Sequence, residues 1–289
     1  MTPQERTLDL PTHRVGLLEW EGPTPQAPLV VALHGYPDTA WTWRRVAPLL
    51  VEAGYRVVAP FQRGYAPSAI PADGDYSVRA LADDAVALHA ALGGDERALL
   101  VGHDWGALAA TTVASRAAQP YRAIAALAVP PLAHVQPSRD VLGAWSAAML
   151  RQPFRSWYIA VNQVPGLTER VFARMVARLW AWWSPGYDAR EDLALLAQAV
   201  PDRAHERAVV SYYRAIVPGL REAMGPPQHP LLYLHGARDG CLDPRIVPVV
   251  TARMPAGRVH AVPDAGHFLE LEQPDAVAGH LLRYWEELP

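Results

Sequence analysis

An α/β fold is predicted for this chain: a mostly parallel sheet flanked by helices, with a helical block inserted between two of its strands. Three observations predict it. Short apolar runs alternate with amphipathic stretches from Leu29 to Val129, and the same alternation resumes at Leu231. Between them, from Leu132 to Met224, no strand pattern occurs. The chain's 289 residues suffice for one large domain carrying such an insertion.

Arg6 to Trp20, with Pro11 and His13 between two alternating stretches, reads as an opening hairpin. Leu29 to Leu33 is a buried strand leading into His34-Gly35-Tyr36-Pro37, and a helix is expected from about Trp41 to Ala53, stopped by Gly54. Tyr55 to Ala59 is the next strand, and Val78 to Leu92 is an amphipathic helix ended by Gly93-Gly94. Strands Ala98–Val101 and Ile124–Val129 follow, the second closed by Pro130-Pro131. The block from Leu132 to Met224 reads as helices rich in arginine and aromatics, among them Trp145, Trp157, Trp180, Trp182 and Trp183. After Gly225-Pro226-Pro227 come strand Leu231–Leu234, a helix near Ile246–Met254, strand Arg258–Val262 and a last helix from about Pro274. The expected organisation is a core of residues 1–131 and 225–289 with a helical cap at 132–224.

Composition narrows the function classes. A net charge of −3 offers no basic face for nucleic acid. All 26 basic residues are arginine, which excludes a Schiff-base lysine and a Walker P-loop. The single cysteine, Cys241, rules out an intramolecular disulfide, and no cysteine–histidine pairing surrounds it. Met1 to Leu10 is polar and charged, so no signal peptide is expected, and no apolar run reaches membrane-spanning length. The expectation is a soluble cytoplasmic protein without membrane or nucleic-acid partners. No two histidines show metal-ligand spacing, so no metal site is expected.

The chemistry centres on Gly102-His103-Asp104-Trp105-Gly106, between the run Ala98–Val101 and the small residues Ala107–Ala110. Strand, glycine-bracketed turn and helix make a G-x-nucleophile-x-G elbow, with aspartate at its centre. The glycines let strand and helix approach closely enough to force the central residue into a strained turn. The helix N-terminus behind it favours an ionised carboxylate. An aspartate there suits attack on an sp³ carbon bearing a leaving group, giving an ester of the protein itself. Two later strand ends supply partners: Asp239 after Leu231–Leu234, and His267 in Gly266-His267-Phe268 after Arg258–Val262. Ligands of open α/β sheets bind beyond the carboxyl ends of the strands, where these three converge. His267 would take a proton from water while Asp239 fixes its tautomer; Asp243 is the rival for Asp239.

These residues, with His34-Gly35-Tyr36-Pro37 and Arg63-Gly64-Tyr65, make the chain resemble an epoxide-hydrolase-like member of the α/β-hydrolase superfamily. The resemblance spans both halves of the core. It implies an oxyanion hole from the backbone N–H groups of Tyr36 and Trp105, and a cis Tyr36–Pro37 bond. It implies two cap tyrosines that protonate the opening epoxide; Ser156-Trp157-Tyr158 and Ser211-Tyr212-Tyr213-Arg214 resemble their sites. Tyr158 and Tyr213 are the choices. Tyr212 is the rival, because neighbouring helical residues point about 100° apart. Trp105, Tyr36 and Trp157 are expected to touch a small apolar substrate, with water as second reactant and no cofactor. Two other functions fit the same residues: a haloalkane dehalogenase using the same Asp104 ester, and a protein that binds a small ligand without turnover. Tyr36, where haloalkane dehalogenases usually carry asparagine, and Leu108, where fluoroacetate dehalogenases carry arginine, count against the first.

Overall fold

The computed structural model describes residues 1–216 and 224–288, so the stretch of the expected cap at 217–223 lies outside the described residues. Strands β1 (Gln4–Asp9) and β2 (Arg14–Trp20) form the expected antiparallel hairpin. They continue into β3 (Leu29–Leu33), β4 (Arg56–Pro60), β5 (Leu99–His103), β6 (Ala123–Leu127), β7 (Leu231–Gly236) and β8 (Val259–Val262). One eight-stranded sheet results, in the order β1-β2-β4-β3-β5-β6-β7-β8. Pairing is antiparallel from β1 through β2 to β4 and parallel beyond. Strands covered on both faces read as continuous apolar runs, and every residue of β3, β5 and β6 is buried. Each fully buried valine, leucine or isoleucine there contributes about 1.5–3 kcal/mol.

The chain passes from β3 outward to β4, then returns to β5 on the other side of β3. The loops after β3 and β5 therefore face each other at a switch in strand order, where ligands gather in open α/β sheets. Helix α3 (Trp105–Ala114) is buried along its whole length. Its small residues let it sit hard against the sheet: a Cβ on Gly102 would lie 2.0 Å from the Gly106 carbonyl oxygen, and one on Gly106 2.5 Å from that of Leu33.

One expected helix differs. In place of a continuous helix at 41–53 there is a 3₁₀ turn at Ala40–Arg44 and then α1 (Val46–Glu52). Pro48 is the reason, since proline fits only the first turn of an α-helix and so sets its start close by. Helix α2 (Val78–Ala91) is capped by the Ser77 hydroxyl, which accepts from the Ala80 N–H at 3.2 Å.

Between β6 and β7 the described residues hold helices and no strand: α4 (Leu142–Arg155), α5 (Trp157–Asn162), α6 (Leu167–Trp183), α7 (Arg190–Ala199) and α8 (Arg203–Arg214). Asp202 caps α8 by accepting from the N–H groups of Ala204 and His205 at 2.8 and 3.0 Å. The block is tied to the sheet's loops. The Trp180 indole donates to the Pro37 carbonyl at 2.8 Å, and the His267 N–H donates to the Trp183 carbonyl at 3.0 Å. Helices α9 (Ile246–Thr251), α10 (Leu269–Glu272) and α11 (Pro274–Glu286) complete the fold. No described helix is long and apolar enough to cross a membrane.

Candidate active site

Asp104 stands between β5 and α3 with φ 52° and ψ −112°, a backbone conformation that costs an L-residue on the order of 1–3 kcal/mol. The close packing of Gly102, Gly106 and the sheet holds it there. Gly35 permits the rest: a Cβ at that position would fall 2.4 Å from the Asp104 Cβ. The Tyr36 N–H donates to Asp104 Oδ1 at 2.8 Å, and Tyr36–Pro37 is cis, as the resemblance implies. His34 braces this loop. Its Nε2 accepts from the Gln62 N–H at 3.0 Å, leaving Nδ1–H to donate to the Gly35 carbonyl at 2.8 Å. Burial lowers its pKa to about 4, so it stays neutral. Trp105, the other expected oxyanion donor, opens α3, whose N-terminal N–H groups have no partner within the helix.

His267 lies between two carboxylates. Its Nε2 is 3.5 Å from Asp104 Oδ2, and its Nδ1 is 3.0 Å from Asp239 Oδ2. Burial alone would lower the imidazole's pKa. Asp239 and Asp104 override it and raise it to about 10, so the resting site holds an imidazolium. Asp239 in turn accepts at Oδ1 from the N–H groups of Cys241 (2.6 Å) and Leu242 (3.0 Å). Despite burial, the imidazolium and these donors hold Asp239 below the usual carboxylate range. Asp243, its rival, instead bonds to Arg245, through the N–H and the guanidinium, each at 3.1 Å.

A cavity of about 310 Å³ opens above Asp104. Trp105, Tyr158 and Tyr213 line it with apolar residues of α4 and α9. The two tyrosine rings meet edge-on, with centroids 5.4 Å apart, and Tyr213 meets Trp105 edge-on at 5.1 Å. Burial holds both phenols well above their ordinary pKa, so they remain proton donors. Tyr212 points elsewhere: its hydroxyl donates to the Arg63 carbonyl at 2.8 Å, and it does not line the cavity.

Two residues expected from sequence to touch substrate do not line this cavity. The Tyr36 ring lies outside the cavity, buried against Tyr213 (4.9 Å) and Phe172 (6.4 Å); only its N–H reaches Asp104. Trp157 does not line the cavity either, because it precedes Tyr158 on α5 and so points about 100° away. Conversely, Gln152 and Cys241 line the cavity though no motif marks them, and the Cys241 thiol lies 3.5 Å from the Tyr158 hydroxyl.

Comparison with known proteins agrees with this architecture. The model of the alpha/beta hydrolase fold family matches residues 28–274. The chain is 30% identical to the AB hydrolase superfamily protein YfhM of Bacillus subtilis, over 89% of this chain and 90% of that protein. It is 36% identical to epoxide hydrolase A of Mycobacterium tuberculosis, over 68% of this chain but only 60% of that protein. Among solved structures, an epoxide hydrolase from an endophytic Streptomyces superposes with a TM-score of 0.78 at 25% identity, covering 99% of this chain and 96% of that one. Epoxide hydrolase A of Mycobacterium thermoresistibile gives 0.73 at 27% identity, covering 100% and 99%. The chain belongs to the α/β-hydrolase fold family.

Proposed function

We propose that this chain hydrolyses an epoxide to a vicinal diol through a covalent ester on Asp104. One observation carries the reading: Asp104 shares a largely apolar cavity with two protonated tyrosines while His267 stands behind it, paired with Asp239. In the first step an Asp104 oxygen attacks a ring carbon, the carbon–oxygen bond breaks, and Tyr158 or Tyr213 gives the departing oxygen its proton. A strained ether is a poor leaving group without such an acid. Ester formation removes the Asp104 charge, so His267 loses one of the two anions that hold its proton; that proton passes through solvent to the tyrosinate left by ring opening, and the neutral imidazole can then accept one from water. The resulting hydroxide attacks the Asp104 carboxyl carbon. Negative charge then develops on the oxygen beside the Tyr36 N–H, with the Trp105 N–H as second donor. Collapse breaks the bond to the alkoxide, which takes the proton of the added hydroxyl, and so releases the diol and restores the carboxylate.

The described residues of the 132–224 block serve in this reading as the cap that supplies both acids and closes the cavity. The epoxide hydrolases among the relatives support the same activity, and the tyrosine pair favours an epoxide over a halide, which needs no proton on leaving. Gln152 is committed to the protein: its amide donates to the Ser156 hydroxyl and the Cys241 carbonyl, both at 2.9 Å. The substrate's remainder is therefore an apolar group that fits about 310 Å³.

The test is intact-protein mass spectrometry of His267→Gln mixed with styrene oxide, a long-chain epoxide or a 1-bromoalkane. The protein is expected to gain the mass of one epoxide, and the gain should vanish when Asp104→Asn is added. An adduct from the bromoalkane alone would replace this reading with a dehalogenase. Binding with neither adduct nor turnover in any variant would leave only a ligand-binding protein.

A further inference from the structure

Asp38, His103 and Glu270 form a buried cluster behind His267, and none of the three lines the cavity. They come from the loop after β3, the end of β5 and α10, and no motif joins them in sequence. His103 Nε2 lies 2.9 Å from the His267 carbonyl oxygen, and its Nδ1 lies 3.1 Å from Glu270 Oε1. A carbonyl oxygen can only accept, so Nε2 must carry the hydrogen. A second proton on this ring would place an imidazolium beside that of His267, whose centroid is 4.9 Å away. Burial first, and the His267 charge next, lower His103 to about 3, despite the partial counterweight of Asp104 and Asp239. Nδ1 therefore presents a lone pair. An ionised Glu270 would present another to it, and drawn so, His103 Nδ1 has no partner.

We propose that Glu270 is a neutral carboxylic acid that donates to His103 Nδ1, so that His103 donates to the His267 carbonyl and positions the catalytic imidazole. The Thr42 hydroxyl completes the line by donating to Glu270 Oε1 at 2.8 Å. The groups facing Glu270 favour the neutral form. Burial and the neighbouring Asp38 hold its carboxyl well above the usual range, against the weaker pull of the His267 cation. Asp38 is itself raised to about 8 by burial, with Asp192 adding to the effect and Arg44 opposing it. Its Oδ2 is 3.9 Å from His103 Nδ1, too far to be the donor. A line of donors thus runs from Thr42 through Glu270 and His103 to the main chain of His267, joining three segments that meet at the site. Glu270 and His103 are positioning residues, since neither reaches the cavity. The positioning role rests on the proposed Asp104–His267 chemistry; the protonation state does not.

The experiment compares the wild-type protein with Glu270→Gln and Glu270→Leu. Nitrogen-15 NMR of labelled histidines at neutral pH is expected to show His103 protonated on Nε2 alone. Infrared difference spectra should show a protonated carboxyl band that is lost in Glu270→Gln. The glutamine amide can still donate, so that variant should keep kcat within about threefold, whereas leucine leaves Nδ1 without a donor and should lower kcat by about tenfold with KM little changed. Should the leucine variant not fold, the two spectra and the glutamine variant decide alone. A doubly protonated His103 would overturn the proposal, as would a stoichiometric divalent metal held by the cluster or a glutamine variant as slow as leucine. If the wild-type protein turns over no epoxide yet gives the expected spectra, the functional reading fails while the neutral Glu270 stands.

Discussion

Replacing Asp104 by asparagine reproduces, without chemistry, the charge change that ester formation imposes on His267. In the resting site His267 Nε2 is 3.5 Å from Asp104 Oδ2, and its pKa is raised to about 10 by the two carboxylates. At that separation, with an effective dielectric near 20, the ion pair is worth about 4–5 kcal/mol. At about 1.4 kcal/mol per power of ten, losing it weakens the hold on the proton roughly a thousandfold. Asp239 remains at 3.0 Å and keeps the ring oriented. His267 in Asp104→Asn should therefore titrate near neutrality, as should the same ring in the ester. The sign follows: the base works when neutral, so ester hydrolysis should rise with pH through that lowered value and level off above it. Histidine NMR titration of the variant and the kcat–pH profile of the wild-type protein measure the two sides. If His267 titrates unchanged in Asp104→Asn, or if the kcat limb lies near 10, the electrostatic argument is wrong.

Substitutions on α8 should separate its two neighbouring tyrosines. Tyr213→Phe removes a cavity hydroxyl and, combined with Tyr158→Phe, should lower kcat by about 10²-fold or more on epoxides. Tyr212→Phe should leave kcat unchanged but cost about 1–2 kcal/mol in urea unfolding, because the Arg63 carbonyl loses a buried donor at 2.8 Å. The reverse pattern of effects would exchange their roles. Gly35→Ala puts a methyl group 2.4 Å from the Asp104 Cβ, so Asp104 must shift; kcat/KM should fall about 10²-fold, and wild-type kinetics would show that its placement is not limiting.

The elbow was legible because its chemistry is local: two glycines and an aspartate between a strand and a helix define the backbone, and Asp104 stands there with positive φ. His267 and Asp239 were legible for a related reason, each following a strand of the same sheet. Facing direction was harder. On a helix, one residue's difference turns a side chain by about 100°, so sequence leaves Tyr212 open against Tyr213 and cannot tell that Tyr158, and not its neighbour Trp157, lines the cavity. The break at Pro48 was readable in principle, since proline sets where a helix starts. The Asp38–His103–Glu270 cluster was not, because a loop, a strand end and a helix distant in sequence assemble it and no spacing marks it.

A single turnover in oxygen-18 water, with enzyme in excess over epoxide, tests the Asp104 ester most directly. The first diol should contain no heavy oxygen, its new hydroxyl coming from the protein, and the peptide bearing Asp104 should be heavier by one labelled atom. Heavy oxygen in that first diol, with Asp104 left unlabelled, would mean that water attacks the epoxide itself and that no ester forms.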